Sequence, residues 1–245
     1  ARPVLSTAYA HVLLSNGEIV DVEKRLRQAE GRLENPTAER VVVDTEAFRF
    51  LGGSIAIARA GLALAREDVP ATLIYARQAL DLAPADDLMT RGGAAGFLGL
   101  AYWTNGDLEA AHQTFAEGMA SLKKAGHIAD AVNGATTLAA IRLAQGRLRE
   151  AKRTYEQALQ LATVQDTPVV RGAADMHVGM SEVYREQNNL PVAREHLLSS
   201  QAMEEHTGFP QNRYRWYATM ARLHEAEGDL AGALDLLDEA ERLYM

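Results

Sequence analysis

The chain has 245 residues, 47% of them hydrophobic, with no cysteine and a formal net charge of −8. Without cysteine there is no disulfide, no thiolate nucleophile and no Cys-ligated metal. The acidic balance argues against a direct grip on a phosphate backbone, which needs a clustered basic surface.

Ala, Leu, Glu, Arg and Gln abound, while Pro is low at 7 and aromatic residues make up 6%. These are strong helix formers, and the composition points away from strands. No uninterrupted apolar run is long enough to span a bilayer, and no charged n-region precedes an apolar h-region. A cytoplasmic protein without membrane contact is expected. The opening Ala1-Arg2-Pro3, with no Met, is what a segment of a longer protein would carry.

In chain order, periodicity and breakers predict helices over 4–15, 18–34, 38–66, 70–83, 88–104 and 108–125. Further helices are predicted over 128–145, 148–163, 169–187, 190–206, 211–227 and 230–244. The third is too long for its class, and Gly52-Gly53 is expected to kink or interrupt it. Asn35-Pro36, Pro84, Gly126, Asp166-Thr167-Pro168 and Gly208-Phe209-Pro210 separate the pairs.

Six short turn signals recur: Asn16-Gly17-Glu18-Ile19, Arg66-Glu67-Asp68-Val69, Asn105-Gly106-Asp107-Leu108, Gln145-Gly146-Arg147-Leu148, Gln187-Asn188-Asn189-Leu190 and Glu227-Gly228-Asp229-Leu230. Their second residues fall at 17, 67, 106, 146, 188 and 228, so the spacings are 50, 39, 40, 42 and 40. A period near 40 residues marks a repeat array. Gly, or Asn188, can take the left-handed conformation that ends a helix, and the following Asp or Asn189 can cap the next one. Each turn therefore joins an antiparallel pair.

After the turns the same small and large residues return: Ala111 and Phe115; Ala151, Tyr155 and Ala158; Ala193 and Leu197; Ala233, Leu237 and Ala240. Small residues let helices approach and the large one fills the groove between pairs. The pattern reads as an all-α fold: a tetratricopeptide-like right-handed superhelix of about six antiparallel helix pairs. It forms a single solenoid domain over 1–245, and 1–36 fits least well.

Gln145-Gly146-Arg147-Leu148-Arg149-Glu150-Ala151 through Tyr155-Glu156-Gln157-Ala158-Leu159-Gln160-Leu161-Ala162 resembles the sensor region of MalT-type LuxR-family regulators, the signal-transduction ATPases with numerous domains. The resemblance takes in Ala58-Arg59-Ala60-Gly61-Leu62-Ala63, Ala79 through Asp87, Arg91 and Gly99-Leu100-Ala101-Tyr102, and covers most of 40–244. The opening 35 residues depart from it, with Val22 where the post-turn Ala is usual. In that family a nucleotide-binding module and a helix-turn-helix flank the array, and an inducer acting on the array promotes self-association. The resemblance thus implies a sensing domain whose partners are a small-molecule inducer or a regulatory protein, the other domains of the parent, and further copies of itself. No Gly-x-x-x-x-Gly-Lys-Ser/Thr loop and no basic recognition helix occur, so ATP and DNA contacts are not assigned to this chain.

By ordinary tetratricopeptide register, the first helix of each pair lines a concave wall. That places Leu100, Trp103 and Thr104 there, with Asn133, Thr136 and Ala140, Asp175, Glu182, Arg185 and Glu186, and Arg215, Arg222 and Glu225. An aromatic platform near Arg and carboxylate groups suits a polar small molecule or a peptide; the plainer reading is a solvated face. Arg59 and Arg142 occupy positions where an apolar or small residue is expected, and are read either as anion or inducer recognition or, preferentially, as salt bridges to a neighbouring repeat. The tentative ligand-binding set is Arg59, Leu100, Trp103, Asn133, Arg142, Glu182, Arg185 and Arg222.

Ser121-Leu122-Lys123-Lys124 matches the Ser-x-x-Lys string of some acyl-enzymes without their other elements. Gly92-Gly93-Ala94-Ala95-Gly96-Phe97-Leu98-Gly99 lies inside a predicted helix with no preceding strand, and is read as permitting close helix contact rather than cradling phosphate. The seven histidines show no metal spacing, since His196 beside Glu195 and His224 beside Glu225 point different ways. No catalytic residue, cofactor or metal is assigned. A sensing domain of a MalT-like regulator is the leading expectation, and a free-standing tetratricopeptide adaptor for protein–protein interaction is the alternative.

Overall fold

The computed structural model describes residues 3–34, 45–163, 172–207 and 212–244. Among these there are thirteen helices and no strand. They are α1 (Pro3–Ser15), α2 (Val22–Glu34), α3 (Thr45–Arg49), α4 (Leu51–Ala65), α5 (Val69–Leu82), α6 (Leu88–Thr104), α7 (Leu108–Lys124), α8 (Ile128–Ala144), α9 (Leu148–Thr163), α10 (Ala173–Glu186), α11 (Leu190–Thr207), α12 (Asn212–Glu227) and α13 (Leu230–Tyr244).

The turns make the pairs. All six residues at the second turn position have positive φ: Gly17 at 76°, Glu67 at 59°, Gly106 at 81°, Gly146 at 73°, Asn188 at 56° and Gly228 at 87°. The next amide then reaches back five residues to an orphan helix carbonyl, Asp107 to Tyr102 at 3.0 Å. The same bond is 2.9 Å from Glu18 to Leu13, Asp68 to Ala63, Arg147 to Arg142, Asn189 to Tyr184 and Asp229 to His224. Capping follows at once. The Asp68, Asp107 and Asp229 carboxylates accept from the amides of Ala71, Ala110 and Gly232 at 3.0, 3.1 and 3.0 Å.

Three expectations needed correction at element ends. The chain stays non-helical from Glu18 to Asp21, so α2 starts at Val22 rather than at 18. The long third helix is interrupted, but at Phe50, two residues ahead of the Gly52-Gly53 pair that was expected to break it. On the far side α10 begins only at Ala173, because Gly172 takes φ 94° and cannot continue a helix. The breakers at 35–36, 166–168 and 208–210 lie outside the described residues.

The helices divide into two compact units, Ala1–His127 and Ile128–Met245. In the first, Ala10, Leu13, Val22, Leu26, Ala29, Leu51, Ile55, Ala58 and Leu62 form the core of α1, α2 and α4. Val22 is fully buried there, so it occupies the post-turn small-residue position despite its size. In the second unit, Val132, Ala135, Ala139, Ala151, Tyr155, Ala158, Met176, Met180 and Val183 join α8, α9 and α10. Val178, Ala193, Leu197, Met220 and Leu223 join α10, α11 and α12.

Close approach is tightest between α6 and α7. A methyl added at Gly118 would lie 2.7 Å from the Gly92 carbonyl oxygen, which belongs to a backbone that cannot move aside. The Gly-rich run is therefore a helix contact surface inside α6.

Two substitutions test this architecture by thermal melting. Gly118→Ala is expected to cost roughly 1–3 kcal/mol through overpacking, and an unchanged melt would mean that α6 and α7 lie farther apart. Glu67→Gly is expected to stabilise by up to about 1 kcal/mol, because a left-handed L-residue costs about 1–2 kcal/mol and glycine's extra entropy loss only about 0.5–1. A lower melting temperature for that variant would contradict the positive φ at Glu67.

Candidate functional site

Each pair's first helix in the second unit contributes a row of polar side chains. Asp175 and Glu182 are seven residues apart on α10 and so share one face. Arg215, Thr219 and Arg222 do the same on α12. The two rows meet. Arg222 Nη1 donates to Glu182 Oε1 at 2.8 Å, and Thr219 Oγ1 donates to the same oxygen at 3.3 Å. Arg215 Nη1 lies 3.4 Å from Oδ1 of the fully buried Asp175. The Arg222 side chain is 54% exposed against 20% for Glu182, so this pair borders solvent.

Behind the row stands Tyr155 of α9, 1% exposed. Its hydroxyl donates to the Thr136 carbonyl of α8 at 3.5 Å and sits against Gly179 of α10, where any added methyl would overlap it. Burial pushes the phenol's pKa upward, so it stays a neutral donor. Asn133 and Thr136 add an amide oxygen and a hydroxyl, both buried and without a hydrogen-bond partner among the described residues. Such groups in a native fold invite a partner from outside.

The other candidates are placed differently. Arg142 is tied at the α8–α9 turn, to Glu150 Oε2 at 3.1 Å and Gln145 Oε1 at 2.8 Å. Arg185 bonds its neighbour Glu186 at 2.5 Å, and its buried Nε has no partner. In the first unit, Leu100 and Trp103 are half-buried and three residues apart on α6. Arg59 lies on α4 instead. It anchors an ion cluster with α2: its Nη2 and Nε donate to Glu30 at 2.6 and 2.8 Å, and its Nη1 to Glu23 at 2.9 Å, while Arg27 and Arg66 also reach Glu23 at 2.9 and 3.4 Å.

That cluster borders a cleft of about 550 Å³. The cleft is bounded by α2, α4 and α5, with Leu33, Ile55, Tyr75 and Leu82 as apolar lining and Gln78 as a polar one. Sequence reasoning found Arg59 and missed its partners. The signal was present, since Glu23 and Glu30 are seven residues apart on one helix face. The hydrogen bond from Arg59 holds the Glu23 carboxyl below its ordinary value, and Glu30 raises the guanidinium further.

Antiparallel helix pairs closed by left-handed turns and recurring every forty residues or so define a tetratricopeptide-type repeat protein. The chain belongs to the family described as the MalT-like TPR region, whose model matches residues 53–245. No curated protein matches it. Among solved structures it is similar to NprR in complex with its cognate peptide NprX, with TM-score 0.69 and 17% identity over 96% of this chain. The chain spans 65% of that NprR chain. It is also similar to the apo form of RapI, with TM-score 0.69 and 10% identity over 99% of this chain and 98% of that one. A third likeness is BtubC from P. vanneervenii, with TM-score 0.64 and 15% identity over 100% of this chain and 91% of that one. At these identities the likeness is one of fold.

Arg59→Met removes the guanidinium that Glu23 and Glu30 share, leaving Glu23 to Arg27 and Arg66, and is expected to destabilise by about 1–3 kcal/mol at neutral pH. The lowered Glu23 carboxyl fixes the sign with pH: the cluster stabilises above the unfolded carboxylate value and is lost as pH falls through the folded one. Wild type should therefore lose more stability on acidification than Arg59→Met, and parallel acid limbs in thermal melts would exclude the cluster as the cause.

Proposed function

We propose that this chain is the signal-sensing segment of a MalT-like, LuxR-family transcription regulator in the cytoplasm, and that it binds a peptide or a regulatory protein along its first helices. It acts by binding and not by catalysis. The observation that carries this reading is the polar row on α10 and α12, where Glu182 and the exposed Arg222 stand beside the buried Asp175–Arg215 pair. A partly solvated ion pair contributes little net stability, so a ligand carboxylate or amide can replace one of its members at small cost. The unpartnered Asn133 oxygen and Thr136 hydroxyl extend the same chemistry to α8. An extended chain offers alternating donors and acceptors to such a surface, as a compact apolar effector does not.

The family assignment and the fold likeness to NprR solved with its cognate peptide support the same reading. Binding would bias the parent between a resting and an assembling state, with a coupling of about 1–3 kcal/mol. The inducer class favoured here is peptide or protein over small molecule. Leu100 and Trp103 supply a separate apolar contact on the first unit, where Arg59 acts through its own ion pairs, while Arg142 and Arg185 act through ion pairs of the second unit.

Peptides selected from a random library on this chain test the proposal by calorimetry. Arg222→Ala and Asn133→Ala should each weaken binding by about 1–3 kcal/mol while leaving the melt nearly unchanged, and Trp103→Ala tests the first unit's own contact separately. Affinities that ignore Arg222→Ala and Asn133→Ala would remove the second unit's row as a site, and affinities that ignore Trp103→Ala would remove the first unit's. The regulator context is tested separately by the complete coding sequence, which should carry a phosphate loop upstream and a helix-turn-helix downstream; a chain with neither is a free-standing adaptor.

A further inference from the structure

Two of the seven histidines meet in the second unit, away from the polar row. His177 lies on α10 and His196 on α11, and their Nδ1 atoms stand 2.9 Å apart. The ring centroids are 5.1 Å apart with planes inclined by 38°, and both rings are half-buried. Tyr184 stacks on His196 at 5.3 Å, and the Lys152 ammonium of α9 lies 4.7 Å over the Tyr184 ring.

The spacing fits two chemistries. In the first, one imidazole donates its Nδ1–H to the other. In the second, both Nδ1 lone pairs bind one ion. Metal–imidazole bonds of about 2.0–2.1 Å put two nitrogens about 2.9 Å apart at a right angle, and about 3.3 Å apart at the tetrahedral angle. The observed separation is the right-angle one. Right angles between nitrogen donors belong to square-planar and tetragonal Cu(II) and Ni(II) rather than to Zn(II).

We propose that His177 and His196 form a bidentate site for a tetragonal divalent ion, Cu(II) or Ni(II), held through both Nδ1 atoms with water in the remaining positions. Among the described residues no third His, Cys, Asp or Glu joins them, which keeps those positions open. Burial holds both imidazoles below their ordinary value, His177 at about 4, so both are neutral ligands at physiological pH. On binding, the donor ring carries its proton on Nε2 instead of Nδ1, and no net proton is released. The charge of Lys152 faces His196 and opposes a dication, but Glu156 lies 3.7 Å from that ammonium and offsets it. The ion would clip α10 to α11, one hairpin of the repeat, so loading should raise the melting temperature by mass action.

Tag-free full chain titrated with CuCl2 and NiCl2 by calorimetry tests this, together with electron paramagnetic resonance of the copper-loaded protein. The expected result is one ion per chain and a spectrum split by two nitrogens. His177→Gln and His196→Gln should each weaken binding by at least about tenfold, while His224→Gln, whose imidazole contacts Asp229 at 2.9 Å, should not. Absence of stoichiometric binding below roughly 100 µM, or binding that survives the double Gln variant, overturns the site. If the variants melt early, substoichiometric Cu(II) on wild-type protein decides by NMR. Broadening confined to the His177 and His196 imidazoles supports the proposal, and broadening centred on other histidines defeats it.

Discussion

A left-handed residue followed by an amide that reaches back five positions is the constraint on which the rest depends. Repeated six times, from the Glu18–Leu13 bond to the Asp229–His224 bond, it ends one helix and aims the next. Because the reversal takes two or three residues in five of the six turns, the second helix there has no freedom but to lie antiparallel to the first. The polar positions of the first helices then fall in register from one pair to the next. This is how Asp175 and Glu182 come to face Arg215 and Arg222, forty residues later in the chain. The binding surface is thus a by-product of turn geometry repeated at fixed length.

Packing turns that register into rigidity. Within each pair the close positions hold alanine, glycine, serine or threonine, and bulk enters only where a neighbour leaves room. Tyr155 is the clearest case. Its ring fills the space between α8 and α10, and its hydroxyl rests where Gly179 has no side chain. The same hydroxyl satisfies the Thr136 carbonyl, so one residue joins three helices through both dispersion and a hydrogen bond. A phenylalanine there would keep the volume and lose that bond.

Much of this was legible in the residues. The turn signals located six of the eight positive-φ positions among the described residues, including Glu67, which no glycine rule would have singled out. Helix type followed from periodicity and helix pairing from the spacing of the turns. Element ends were less legible: Ile19 to Asp21 look helical by composition, yet Val20 is 89% exposed and the helix waits for Val22. The Phe50 break was displaced from the glycines because Gly53 packs against Thr90 and Ala79 inside α4 and does not break the helix. For the candidate surface, residue types on the first helices could be singled out, but their partners could not be read. His177 and His196 are nineteen positions apart on two helices, and no helical spacing rule links such a pair.

Polar groups placed between helices also explain how a rigid repeat can respond to a ligand. An apolar seam offers a ligand nothing to exchange, since its contacts are already saturated. An ion pair such as Glu182–Arg222, with one member half in water, can trade its partner for a ligand group with little change in net energy. The fully buried Asp175 exchanges far less readily, because a desolvated carboxylate loses much more than an exposed one when a counter-charge leaves it. The row therefore holds one exchangeable pair beside one fixed pair on the same two helices. A ligand that takes the first is referred to the second for its position, and any shift it imposes on α12 must be carried by the helix as a whole rather than absorbed at a single side chain.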